Sequence, residues 1–118
     1  MKSLCIVSQQ SPYASPRAKE ALDAALVAAT FDIPTTLVLL GDGVFQAIKT
    51  QAGEKIQQKN LGKQLAVLPM YDIEVLYVSE QDLSCRGLKP EQLMDNVQVL
   101  PGEQISELIR QQDMVISL

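Results

Sequence analysis

The chain has 118 residues, 47% of them hydrophobic and 20% charged, with a net charge of 10 − 14 = −4. That length and composition predict one domain that buries about two-thirds of its surface without staples, and they exclude disorder. With no histidine the chain has no means to build a Ser-His-Asp triad or a histidine metal site; its acidic balance makes it a poor candidate for direct nucleic-acid binding, and with no tryptophan and few other aromatics a stacking platform is disfavoured.

Leu4-Cys5-Ile6-Val7 is a short apolar run and reads as a strand covered on both faces; it is too short for a signal-peptide core or a spanning helix. Ser11 to Pro16 is a loop with two prolines, in which Ser15 offers a capping hydroxyl and Pro16 the first helical position. Ala18, Ala21, Leu22, Ala25, Leu26 and Ala29 then recur at helical spacing, and their small size lets the helix lie close to a sheet. Phe31-Asp32-Ile33-Pro34 breaks it. Residues 35–40 make the second apolar strand, Gly41-Asp42-Gly43 a tight turn, and residues 44–48 a short helix. Residues 49–59 read as a surface loop, and Leu61, Leu65 and Leu68 mark a third helix closed by Pro69. Residues 74–78 are the third strand, 80–86 a short helix ended by Gly87 in a left-handed cap, and Lys89-Pro90 a turn. Residues 97–100 are the fourth strand. Pro101-Gly102-Glu103 opens a last helix with Ile105, Leu108 and Ile109 on one face, and residues 114–118 form the fifth strand.

Strands thus alternate with helices along the chain. The predicted fold is α/β: a single domain over residues 1–118 with a mostly parallel five-stranded sheet and helices on both faces. A flavodoxin-like strand order is the first expectation.

Three strand ends carry the candidate chemistry, because open parallel sheets place function at the strands' carboxyl ends. Residues 8–15 hold hydroxyls before a helix, but neither dinucleotide nor phosphate-loop spacing is present, so a capped helix is the favoured reading. Asp42 between two glycines suits a turn or a cap better than a metal, having no neighbouring carboxylate or histidine. Ser79 starts a helix after the third strand. A serine there lacks the adjacent base that would make it a nucleophile, and an N-cap is the favoured role. Cys85, before Arg86-Gly87, is the thiol expected to be accessible, and Cys5 is expected in the core. The two are far apart and form no C-x-x-C pair, so free thiols in a reducing cytosol are expected, although one disulfide between them is open to the sequence.

Asp42-Gly43-Val44-Phe45-Gln46 after an apolar strand, Leu68-Pro69-Met70-Tyr71-Asp72-Ile73-Glu74, and Arg86-Gly87-Leu88 together resemble the TusC/DsrF-type branch of the DsrE/F/H sulfur-relay family. The resemblance runs from the first strand to the last. It implies an α/β fold and a cytoplasmic two-fold heterohexamer with TusB-like and TusD-like paralogous subunits. Such a complex passes persulfide sulfur from a TusA-like donor to a TusE-like acceptor, towards 2-thiouridine in wobble-position tRNA. In the TusD/DsrE-type paralogue, a cysteine eight residues before the glycine of an R-G pair carries the persulfide. The corresponding residue is Ser79, so the resemblance implies a non-catalytic, docking subunit that needs no cofactor or metal. Phe45, Ile48, Met70 and Tyr71 are the residues expected at a partner interface, whereas Leu68 is read as core. A stand-alone thiol carrier working through Cys85 and a small-molecule-binding flavodoxin-like module remain alternatives. The sequence also leaves open tRNA thiolation against dissimilatory sulfur oxidation, and whether the chain self-associates.

Overall fold

The computed structural model describes residues 3–9, 17–48, 73, 75–94 and 96–118. The expected Ser15-Pro16 cap, the helix around Leu61 to Leu68, and Met70 and Tyr71 lie outside them. The described elements are β1 (Leu4–Ser8), α1 (Arg17–Thr30), β2 (Thr35–Leu39), β3 (Leu76–Ser79), α2 (Glu80–Cys85), β4 (Val97–Leu100), α3 (Gly102–Arg110) and β5 (Met114–Ser117). Two 3-10 helices, Gly41–Ala47 and Pro90–Gln92, complete the set.

The five strands form one sheet in the order β4-β3-β2-β1-β5, and every pairing is parallel. The α/β expectation, with helices on both faces, holds. The strand order does not follow the flavodoxin pattern of 2-1-3-4-5. Here the chain steps the same way three times and reverses only in its last crossover. Right-handed crossovers put the connections of one direction on one face and those of the opposite direction on the other. A single late reversal therefore leaves α3 on its own face.

Strand alternation sorts the core accordingly. Leu4, Ile6, Leu37, Leu39, Leu76 and Val78 face α1 and α2, packing with Ala21, Leu22, Ala25, Ala28 and Leu83. Cys5, Val7 and Val38 face the other way and meet Ile105, with Leu108 and Ile109 at the margin. All five residues of β1 are buried because it lies between β2 and β5 and is covered on both faces.

α1 and α2 close by the same backbone device. After α2, Gly87 sits at φ +68°; its N–H donates to Ser84 and that of Leu88 donates to Leu83. This is the left-handed glycine cap expected from the sequence, with Leu83 and Leu88 packed together in the core. After α1, the N–H of Asp32 donates to Ala29 and that of Ile33 to Ala28. The left-handed position there is held by Asp32 at φ +60°, where a glycine would carry no strain.

The turn after β2 differs in detail from its sequence reading. The helix begins at Gly41, so the glycines lie within it rather than before it. Gly41 supplies the left-handed conformation at φ +54°. Gly43 supplies space: a Cβ there would enter the van der Waals shell of the Ser8 carbonyl oxygen and lie 2.9 Å from its carbon.

These geometries order three substitutions by urea unfolding. Gly43→Ala is expected to cost about 3 kcal/mol, because backbone must move to admit the methyl group. Gly87→Ala, with open space but a left-handed backbone, is expected to cost about 1 kcal/mol. Asp32→Gly is expected to stabilise by about 0.5–1 kcal/mol, the relief of a left-handed aspartate less the extra freedom of the unfolded chain.

Candidate functional site

The carboxyl ends of β1, β2 and β3 lie side by side, with Ser8 opposite Leu39 and Leu39 opposite Val78. The Gly41–Ala47 helix lies across them, because Gly43 lets its backbone touch the end of β1. That approach brings the Gln46 side chain inward, where its Nε2 donates to the Ser8 hydroxyl at 2.7 Å. Both residues are buried. A buried polar pair of this kind contributes about 1 kcal/mol when made and costs more than that if one partner is removed.

Ser79 ends β3 and caps α2. Its hydroxyl accepts from the Asp82 N–H at 3.3 Å, which is the role expected from the sequence. The side chain is only 5% exposed, so the position faces protein rather than solvent. Asp82 in turn reaches across to β2's end, and its Oδ2 accepts from the Gly41 N–H at 2.9 Å.

Arg86 fastens the same corner from the other end of α2. Its Nε donates to Asp42 Oδ1 at 3.1 Å, and its Nη2 lies 3.1 Å from the same oxygen. Its Nη1 donates to the Asp82 carbonyl at 3.1 Å and lies 3.9 Å from that residue's Oδ1. Asp42, read from sequence as a turn or cap residue, is thus engaged by Arg86 across 44 positions of sequence. The sequence reading missed Gln46, Asp82 and the reach of Arg86. The available signal was that Asp42, Gln46 and Arg86 belong to the two segments that stand out as motifs; the structure joins those segments to each other and to β1.

The two thiols sit in opposite settings. Cys5 lies in β1 with no exposed surface, and burial pushes its pKa from the usual 9.0 up to about 11. Cys85 is the last residue of α2, exposed, and free, as expected. It borders an open cleft of about 350 Å³ between α2 and the start of α3, lined also by Glu80, Gln81, Ser84, Gly102 and Glu103. Arg86, its neighbour, points its guanidinium to Asp42 and Asp82. Ser79 and Cys85 stand at opposite ends of α2, so the serine hydroxyl and the exposed thiol do not converge.

Of the expected interface residues in the described part, Phe45 is half-buried on the 3-10 helix. Ile48 is partly buried against the main core and bridges to Leu93, which ties it to the fold's interior. Among the described residues the most exposed large apolar side chains are elsewhere: Val27 at 56% on α1, Phe31 at 72% in the turn after it, and Met114, Val115 and Ile116 on β5. Among the described residues no helix is long and apolar enough to cross a membrane.

Comparison with known proteins gives one consistent result. The sequence profile described as the DsrE/DsrF-like family matches residues 2–118. A protein named TusC homolog from Pseudomonas aeruginosa is 43% identical, over 99% of this chain and 98% of its own. A protein named intracellular sulfur oxidation protein DsrF, from Allochromatium vinosum, is 30% identical, over 99% of this chain and 96% of its own. The crystal structure of the YchN protein from E. coli superposes with a TM-score of 0.85 at 20% identity, covering 100% of both chains, and shares the fold.

The contrast between the thiols predicts their labelling. Native protein treated with iodoacetamide at neutral pH is expected to take up one label, at Cys85, with Cys5 reacting only after unfolding. Peptide mass mapping that finds Cys5 labelled in the native state would contradict the burial described above.

Proposed function

The chain belongs to the DsrE/DsrF-like family, and from that premise we propose that it is a non-catalytic subunit of a sulfur-relay complex. The reading extends to a two-fold heterohexamer with TusB-like and TusD-like paralogous subunits. That complex takes persulfide sulfur from a TusA-like donor and gives it to a TusE-like acceptor for 2-thiouridine in wobble-position tRNA. The names of its relatives, a TusC homolog and a sulfur oxidation protein, support a role in sulfur transfer.

The observation that carries the docking role is Ser79. In persulfide transfer, an acceptor thiolate attacks the outer sulfur of R–S–S⁻, the S–S bond breaks, and the donor leaves as a thiolate. The donor atom must therefore be a sulfur that an incoming thiolate can reach. At the position corresponding to the paralogue's carrier cysteine, this chain has a hydroxyl that is buried and already occupied in capping α2. Cys5 is unreachable within β1. Cys85 is reachable, which keeps a thiol-carrier reading alive as the alternative. It lies at the end of α2 opposite to Ser79, and its neighbouring cation is engaged by two carboxylates.

The two readings separate in a reconstituted complex that carries labelled sulfur from donor to acceptor. Cys85→Ser is expected to leave the transfer rate within about twofold, a barrier change under about 0.5 kcal/mol. Replacing both cysteines, with Cys5→Ala to respect its apolar site, is expected to do the same if the complex assembles. A hundredfold loss with Cys85→Ser in an intact complex, about 2.7 kcal/mol of barrier, would assign the carrier role to this chain.

A further inference from the structure

Asp42 is the one aspartate of this chain that a glycine follows; the others precede alanine, isoleucine, leucine, asparagine or methionine, and neither asparagine precedes a glycine. An aspartate in that setting can close on the main-chain nitrogen after it. The amide nitrogen attacks the side-chain carboxyl carbon, the N–C bond forms, the C–O bond to the carboxyl hydroxyl breaks, and water leaves with the amide proton. Water then reopens the five-membered imide at either carbonyl. One opening restores aspartate. The other gives isoaspartate, whose main chain runs through Cβ and Cγ and is one carbon longer. The sum is an isomerisation that needs no oxidant, cofactor or second protein. A following glycine favours it, since no Cβ hinders the nitrogen and the backbone turns freely.

The fold holds Asp42 where water reaches it and the neighbouring nitrogen does not. Its side chain is 63% exposed. Ring closure needs the Gly43 nitrogen to swing into line with the Asp42 Cβ. Asp42 stands in the first turn of the Gly41–Ala47 3-10 helix. Such a helix keeps ψ at about −20 to −30°, roughly a quarter turn from that alignment. The Gly43 N–H is also engaged, donating to the Leu40 carbonyl at 2.9 Å. Two contacts from α2 oppose the unwinding that would bring nitrogen and carboxyl together. Arg86 grips Asp42 Oδ1 through both Nε and Nη2, each at 3.1 Å, and Asp82 Oδ2 accepts from the Gly41 N–H at 2.9 Å. A 3-10 helix of seven residues needs such support, because long runs are uncommon and their hydrogen-bond geometry is poor.

We propose that Asp42 is the spontaneous isomerisation site of this chain and that Arg86 is its guard, holding the carboxyl group off the Gly43 nitrogen while the corner is closed. This is independent of the sulfur-relay reading. The product does not fit the fold. The extra main-chain carbon enters directly before Gly43, where the backbone lies too close to the Ser8 carbonyl to admit even a Cβ. The isomerised chain must therefore lift the 3-10 helix from the end of β1, which parts Gln46 from Ser8. An event at an exposed aspartate is thus passed to the buried polar pair.

The test is ageing of the full chain at physiological temperature and neutral pH, with isoaspartate counted by a protein isoaspartate methyltransferase and placed by peptide mapping. Chain unfolded in urea is expected to form isoaspartate at Asp42 ahead of every other position. The folded chain is expected to form it at least about tenfold more slowly, because the reaction must wait for local opening. Arg86→Ala is expected to raise the folded-state rate about threefold, the worth of a well-formed exposed ion pair, without changing the rate in urea. High salt, which screens the pair in the unaltered native chain, is expected to act in the same direction. Asp42→Ser is expected to remove the signal. The isomerised chain, once separated, is expected to unfold at a lower urea concentration. Isoaspartate gathering at another position would overturn the proposal. So would equal rates in the folded and unfolded chain, a folded-state rate that neither Arg86→Ala nor salt alters, or an isomerised chain of native stability. None of these outcomes bears on the sulfur-transfer assay, so the two readings fail separately.

Discussion

The close approach of Gly43 to the carbonyl of Ser8 is the constraint from which the functional end of this molecule follows. It is steric: no side chain fits between the two backbones. Once the Gly41–Ala47 helix lies against the end of β1, Gln46 is carried inward to Ser8 and Gly41 is brought to Asp82. Arg86 then closes the corner on Asp42. That ion pair is the most visible contact of the group and the weakest contributor, since Asp42 is 63% exposed and such pairs are worth at most about 1 kcal/mol. The buried Gln46–Ser8 bond and the missing Cβ of Gly43 outrank it, because neither can be replaced by water.

This arrangement has a chemical consequence. The carboxyl end of a parallel sheet is where a ligand or nucleophile would be expected. Here, over β1 to β3, that end is covered by the chain's own 3-10 helix, and its hydroxyls are already hydrogen-bonded. Ser8 is held by Gln46, and Ser79 holds the first turn of α2. Side chains that satisfy one another and are shielded from solvent stiffen a fold and leave little to offer a substrate. Among the described residues the exposed large apolar side chains lie along β5, at Val27 on α1 and at Phe31 just after it. A molecule whose polar interior is closed and whose apolar edges are open is suited to working through contact with other chains.

Much of the fold was legible residue by residue. The run from Leu4, the apolar stripe from Ala21, the glycine cap at Gly87 and the serine cap at Ser79 all appear where the sequence places them, within one or two residues. The exposed Cys85 and the buried Cys5 were legible as well, one beside a helix-ending glycine and the other within an apolar strand. The left-handed Asp32 was not, because an aspartate after a helix gives no signal to set it apart from a surface charge. The exposure of β5 was not legible either: an apolar run does not say where in a sheet it will stand, and only the position of the strand at the edge leaves its residues exposed.

The sequence by itself determined the described strands and helices to within a few residues, the caps at Ser79 and Gly87, the α/β class and the absence of histidine chemistry. Apolar periodicity, capping and turn preference act within a few residues, and composition acts on the whole chain at once. The tertiary structure alone decided the strand order, and with it which side chains meet. Ser8 and Gln46 are 38 positions apart, Gly41 and Asp82 41, Asp42 and Arg86 44. Contacts over such distances depend on the side to which each crossover returns. That choice is made by the packing of whole helices against the sheet, so no local pattern encodes it. The same late reversal that placed β5 beside β1 put it at the edge of the sheet, which is why an apolar strand stands exposed.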